Sequence, residues 1–260
     1  MDHTAHPSDA RASDSGSPSS EQTLAQASER NRILRALPPA AYAELLPHLE
    51  PVDIPVGTRL WEPDTPIEAV YFPRTVVCSL LTPLAQEAAV ESATVGFEGV
   101  VGVPVILGAH ATHSIALGQI GGAALRMDAR RFHDWIVSAD GARAVFLRYA
   151  QALVEQTAQS VACNRRHEMA ERCARWLLAT RDRVGGEKFA LTHEFLAAML
   201  GVRRASVTVA AGMLQEAGLI RYTRGRVTIL DAERLEEASC ECYRVVRTQH
   251  ERLLGGGVGA

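Results

Sequence analysis

The sequence predicts an α+β chain: an amino-terminal β-roll, one long helix, and a carboxy-terminal winged helix-turn-helix. Three observations carry this. Between Val52 and about Leu125, Val, Ile and Thr recur in short runs broken by Gly, Pro and Asp, the pattern of short strands in a barrel or roll. From Ala142 to about Asn164, apolar residues recur at alternating spacings of three and four, which puts a stripe on one helical face. From Thr192 to Leu230, two helical stretches split by a glycine precede two β-like runs around a tight turn.

The composition suits such a chain. Its 260 residues are 47% apolar and 22% charged, within the globular range, and the length allows one large domain or two modest ones. The longest apolar run, Val100 to Ala109, contains Pro104 and falls far short of the ~20 residues a membrane-spanning helix needs. The opening segment, MDHTAHPSDARASDSGSPSSEQ, has no apolar leader core, so a cytoplasmic protein without membrane partners is expected. Net charge is -3, so any basic footprint must be local.

The elements follow in order. Residues 1–28, rich in Ser, Asp, Ala and Pro, cannot bury enough surface to offset their ordering entropy and read as a disordered tail. Two short helices, Arg32 to Leu37 and Ala41 to Leu46, are split by Pro38-Pro39. The strands of the roll follow, with no helix-length segment among them, and a short helix from Ala129 to Ile136 closes a sensor domain at 29–138. The long helix, 139–165, is expected to pair with a second copy of itself rather than simply pack on the roll. Its stripe runs through Phe146, Tyr149, Ala150, Leu153, Val154, Thr157, Val161 and Ala162, and the pairing is assigned to Phe146, Tyr149, Ala150, Leu153, Thr157 and Val161. A helix from Glu168 to Val184 ends at Gly185-Gly186 and opens a unit spanning 166–238. A helical extension, 239–260, ends loosely at GGGVGA, and Asp231 to Leu254 reads as helical throughout.

The five cysteines (Cys78, Cys163, Cys173, Cys240 and Cys242) are odd in number and irregular in spacing. No disulfide framework is expected. Cys240-Glu-Cys242 with His250, or Cys163 with His167 and Cys173, have the chemistry of metal ligands. The plainer reading is small buried side chains, and no metal or cofactor is assigned.

The last third carries the function. Thr192 is placed to cap a helix that ends at Gly201, and a second helix runs from about Arg204 to Ala217, where Gly218 stops it. Ala197, four residues before Gly201, leaves room for the second helix to cross. Val207, six residues after it, faces the first helix. Leu196, Leu200, Val202, Ala210 and Leu214 complete the buried side. Arg203, Arg204, Ala205, Thr208, Val209 and Gly212 then face outward. Leu219 to Tyr222 and Arg226 to Leu230, around Thr223-Arg224-Gly225, form the wing. Between Gly201 and Arg226 stand five arginines, 203, 204, 221, 224 and 226, against one acid, Glu216: a local charge of 5 − 1 = +4 in a chain of net -3. A solvated face would be balanced, whereas phosphate contact and groove entry need this excess.

These residues resemble the Crp/Fnr family of bacterial transcription regulators. The resemblance covers about 31 to 240. It is strongest in LTHEFLAAMLGVRRASVTVAAGMLQEAGLI and the wing YTRGRVTI, with VGTRLWEPDTPIEAVYFPRTVVCSL similar to the family's early roll strands. It implies a cyclic-nucleotide-binding-like roll and a homodimer on an inverted-repeat operator in double-stranded DNA. It also implies an effector acting through the roll, and RNA polymerase as a further partner. On the recognition helix, Arg204 matches a base-reading arginine and Ser206 a phosphate contact. Ala205 and Val209 stand where the best-known members carry glutamate and arginine, which implies a different operator.

The effector cassette also departs. Cyclic-nucleotide-binding members use a Gly-Glu pair for the ribose and an Arg-Ser or Arg-Thr pair for the phosphate. In EGVVGVPVILGAHATHSIAL, which contains Glu98 and Gly99, aligning Gly102 puts Val103 in place of that glutamate and His113-Ser114 in place of Arg-Ser. The fixed positive fork is gone, so classical cyclic AMP is not the expected effector. The amino-terminal cysteine cluster of iron–sulfur members is absent, and no histidine stands out as a haem ligand. An enzyme reading rests only on His110-Ala-Thr-His113, similar to cupin metal sites, but no acid follows before Met127. A sensor acting only through protein contacts would have no use for the +4 winged helix. The chain is therefore read as a regulator and not an enzyme.

Overall fold

In the computed structural model the described residues are 29–254 apart from Gln86 and Asp140. The expected tail at 1–28 and the last residues, 255–260, lie outside them. Two short helices, α1 (Arg32–Arg35) and α2 (Pro39–Leu45), open the fold. Asn31 caps α1: its carboxamide oxygen accepts from the Ile33 and Leu34 amides, 3.1 Å each, and its buried NH2 donates to Pro73 O and Gly99 O.

The roll follows as two antiparallel sheets. One has the order β1 (Glu50–Ile54), β7 (Gly122–Asp128), β3 (Ala69–Pro73). The other runs β2 (Arg59–Trp61), β6 (Ile115–Ile120), β4 (Val77–Leu84), β5 (Glu87–Val95). One short helix does interrupt the strands: α3 (Val103–Ile106) starts at Gly102, whose φ of 150° suits glycine, with Pro104 in its first turn.

Helix α4 (Ala129–Ser138), capped by Asp128, leads into the long helix α5 (Ala142–Arg166). Here the sequence expectation fails in one respect. Phe146, Tyr149, Ala150 and Leu153 do not form a free face; they are buried in the core of the roll. Phe146 meets Phe132 and Phe72 edge-on at 5.2 and 6.3 Å, and the Tyr149 ring fills the space a Cβ on Gly99 would take. The spacing of three and four marks the face that covers the roll. The surface left free on α5 is offset from it: Leu147, Val154 and Val161 are 41%, 58% and 68% exposed. They stand seven residues apart, with Ala144, Gln151 and Ala158 between or beside them. This is the heptad pattern of a two-helix seam.

Helix α6 (Met169–Val184) starts in a capping box of Glu168 and Glu171 and ends at Gly185 in the left-handed conformation. The winged unit follows: β8 (Lys188–Ala190), α7 (His193–Leu200), α8 (Arg204–Glu216), β9 (Ile220–Thr223) and β10 (Arg226–Ile229). β8, too short to show in the alternation, pairs antiparallel with β10. The terminal segment is two helices rather than one, α9 (Ala232–Glu237) and α10 (Cys242–Leu254), separated by a turn containing the buried Cys240. Helix α10 returns to lie along α5. Among the described residues no single helix is long and apolar enough to cross a membrane.

Candidate nucleic-acid interface

The helix-turn-helix is built as its residues require. The Thr192 hydroxyl accepts from the Phe195 amide at 3.1 Å, starting α7. Gly201 closes it at φ 64°, ψ 41°, a conformation open to glycine at little cost. Ala197 and Val207 are buried at the crossing, with Leu196, Leu200, Ala210 and Leu214 around them. That burial turns the opposite face of α8 outward: Arg203, Arg204, Ala205, Ser206, Thr208 and Val209 are all exposed, and Gly212 is half-buried. Val209 is 65% exposed, far more than an inward-packing valine would be. The wing turns on Arg224 (φ 48°) and Gly225 (φ 74°), the pair of positive values a two-residue hairpin needs. Arg221, Arg224 and Arg226 project from it exposed. Among the described residues none of the five arginines of helix and wing enters an ion pair.

Three residues that sequence reasoning missed hold this surface together. His193 Nδ1 lies 3.1 Å from the Thr208 hydroxyl, which itself donates to the Arg204 carbonyl. Burial, then the Arg204 charge, pushes His193 below its ordinary range, so the ring stays neutral at pH 7. Its ring stands 4.4 Å from Tyr222, edge to face. The Tyr222 hydroxyl donates to Leu191 O, and its amide donates to Gln215 Oε1 at 2.7 Å, joining wing to helix. The only usable signal for His193 in the sequence was a histidine directly after a capping threonine.

The cassette residues of the roll each meet a different partner. Glu98 is buried and bonded to Arg183 of α6 at 2.7 Å. Gly99 packs on Tyr149, a Cβ on Gly102 would strike Val70, and Val103 is buried at the start of α3. His113 is exposed and pairs with Asp64 at 2.9 Å, while Ser114 accepts from the Trp61 indole through its carbonyl. His110 instead lies edge-on to His133, so it and His113 have different partners. Glu98 belongs to a different feature, a cavity of about 330 Å3 between the roll, α5, α6 and α10, lined by Gln156, Arg175, Arg183, Tyr243 and His250 among others. Burial works against the Glu98 charge, but Arg183, helped by His250, outweighs it and holds the carboxyl below its usual range.

A family model described as the Crp-like helix-turn-helix domain matches residues 171–238. FixK2 from Bradyrhizobium japonicum has a similar structure, with a TM-score of 0.63 at 16% identity over 74% of this chain and 98% of that one. A CRP-family transcriptional regulator from Thermus thermophilus gives 0.59 at 16% identity, over 80% of this chain and 98% of that one. The c-di-GMP-responsive global regulator CLP of Xanthomonas campestris gives 0.57 at 15%, over 73% and 97%. At these identities the likeness is one of fold. No curated protein matches the sequence. Residues 171–238 thus match a Crp-like helix-turn-helix domain, and the chain as a whole shares the fold of these solved regulators.

Proposed function

We propose that this chain is a sequence-specific regulator that binds an inverted repeat in double-stranded DNA as a homodimer, with RNA polymerase as its further partner. The observation that carries the reading is the exposed set of Arg203, Arg204, Ala205, Ser206, Thr208 and Val209 beside an arginine-bearing wing, with no acid paired to any of the five arginines among the described residues. On this reading α8 enters the major groove. Arg204, in its first turn, is long enough for a bidentate contact with guanine, while Ala205 and Val209 meet thymine methyls. Arg221, Arg224 and Arg226 meet phosphates, which position without specifying. The exposed heptad row of α5 supports a self-paired long helix, and two such heads put half-site centres about 34–36 Å apart.

The effector reading follows from the cassette. A buried valine and an exposed, acid-paired histidine stand where ribose and phosphate ligands would be needed. The roll is therefore read as sensing something other than classical cyclic AMP. Losing a charge-assisted hydrogen bond to each ligand group removes roughly 1.5–3 kcal/mol apiece, of order a hundredfold or more in affinity together. Calorimetry should find no low-micromolar cyclic AMP binding; finding it would reverse the alignment of Val103 and His113.

The two kinds of arginine give the decisive test. Arg204→Ala should cost about 1–3 kcal/mol per half-site and relax the preference at one base pair. Arg224→Asn, which keeps a residue tolerant of the positive φ, should weaken all sequences alike and reduce the salt slope by about one. Binding to a selected operator and to scrambled DNA over a salt series reads both. Equal losses on both DNAs for Arg204→Ala would remove α8 from the role of reading helix. No binding by the wild type at low salt, with or without cell extract as a source of effector, would remove the function.

A further inference from the structure

Four side chains far apart in sequence meet at the junction of α5 and α6. Cys163 lies in the last turn of α5, His167 caps that helix, Cys240 sits in the turn before α10, and Cys242 is its first residue. The three sulfurs and one imidazole nitrogen all lie within 4.8 Å of one another. Cys163 Sγ is 3.5 Å from Cys240 Sγ, and Cys242 Sγ is 3.5 Å from His167 Nδ1. A zinc ion with Zn–S of about 2.3 Å and Zn–N of about 2.0–2.1 Å at the centre of a tetrahedron has ligand–ligand edges of roughly 3.6–3.8 Å. The cluster is already close to that size. The sulfurs are free thiols, and 3.5 Å is far longer than the ~2.05 Å of a disulfide. The other candidates that sequence spacing suggested stay out: Cys173 is buried elsewhere, and His250 faces Gln156.

The surroundings add an independent argument. His167 Nε2 is 3.1 Å from the Glu241 carboxylate, so its Nε2–H donates there and Nδ1 presents a lone pair to the sulfurs. A carboxylate behind the histidine is how metal-ligating imidazoles are held in one tautomer and made more basic. The Gln159 side-chain NH2 donates to Cys242 Sγ at 2.9 Å, which favours a thiolate. Arg172 and Arg175 lie in the field of Cys163 and offset the net −1 of three thiolates, one neutral imidazole and a divalent ion. All four positions are taken by protein, which makes the site closed and structural rather than catalytic.

We propose that Cys163, His167, Cys240 and Cys242 bind one Zn2+ per chain, releasing their thiol protons to solvent. The ion ties the start of α10 to the two-residue link, His167-Glu168, between the long helix and the winged unit. It therefore sets how that unit is carried on α5. The proposal stands apart from DNA binding: its test reads the metal, whatever the operator experiment gives.

The test uses the full reduced chain, loaded with Zn2+ or Co2+ and freed of excess metal. One ion per chain is expected, with the intense visible bands of tetrahedral Co2+ and a thiolate charge-transfer band. Cys240→Ser and Cys242→Ser should lose stoichiometric metal, whereas Cys173→Ala, outside the cluster, should keep it. Because the cysteine variants can also fail to fold, the surface change Glu241→Gln is the second probe. It should keep the stoichiometry but weaken Zn2+ binding about 10–100-fold in competition with a chelator. A reduced, folded wild type that takes up no stoichiometric Zn2+ or Co2+ at neutral pH overturns the proposal. So does an octahedral cobalt spectrum without thiolate bands, or a freshly isolated chain that holds a Cys163–Cys240 disulfide and no metal. Unchanged affinity in Glu241→Gln overturns the tautomer argument on which the ligand set rests.

Discussion

His250 shows how one side chain couples the stability of this protein to pH. Its Nε2–H donates to Gln156 Oε1 at 3.1 Å, and Gln156 donates in turn to Thr94 O. Burial is the main force on it. Glu98 and Glu155 favour its charged form while Arg183 and Arg32 oppose it, and the net result lowers it to about 4. The sign follows. A histidine with a folded-state value of about 4 and an unfolded value near 6.5 takes up its proton only on unfolding across that interval. Stability is therefore full above about 6.5 and falls as pH drops toward 4. Glu98, held below its usual range, acts in the same direction at lower pH. We expect the denaturation midpoint to fall between about pH 6.5 and 4.5, and His250→Gln to flatten that slope. An equally steep slope in the variant would place the titration elsewhere.

Among the elements, the long helix is a single rod with two different apolar faces. One covers the roll with Phe146, Tyr149 and Leu153; the other exposes Leu147, Val154 and Val161. Adjacent residues should consequently fail in opposite ways. Leu153→Glu puts an unpaired charge into the core, at a cost of several kcal/mol, and should lower the unfolding midpoint sharply. Val154→Glu, on the open row, should leave the fold of each chain intact and shift light scattering from dimer toward monomer. If Val154→Glu stays dimeric while Leu147→Glu and Val161→Glu also do, the seam lies on another surface. A spacing of three and four offers no means to choose between these faces, because any long amphipathic helix with two partners carries both rows.

Across the molecule, the roll and the winged unit are joined by buried polar contacts as well as by packing. Arg183 of α6 bonds Glu98 at 2.7 Å, and the Trp176 indole donates to Glu91 of β5 at 2.9 Å. Leu81 and Ile115 of the roll share one core with α6, α7 and α8. Removing one member of the buried pair leaves the other charge stranded. Glu98→Ala should cost about 3–5 kcal/mol, while Glu98→Leu with Arg183→Met should recover most of it, as read by denaturant unfolding of wild type and variants. A double variant as unstable as the single one would make the pair a source of stability in itself.

How much of this was legible depended on whether a signal was local. The caps at Thr192 and Gly201, the turn at Arg224-Gly225, the glycine stop at Gly185 and the outward set of Arg203, Arg204, Ala205, Thr208 and Val209 were all readable. Each is set by backbone preferences and by the period of one or two neighbouring helices. The roll was readable as a class for the same reason, though β8 and α3 were too short to show a period. What stayed hidden involves partners distant in sequence. Glu98 meets Arg183 across 85 residues, His193 meets Thr208 across a helix crossing, and Cys163 meets Cys240 across 77. Short-range periodicity and turn chemistry were enough to dictate a β-roll, a long helix and a winged helix with a local charge of +4, in that order. Which face of the long helix covers the roll, and which cysteines meet, came from packing alone. Both depend on how elements far apart in the chain come together, and spacing along the sequence carries no record of that.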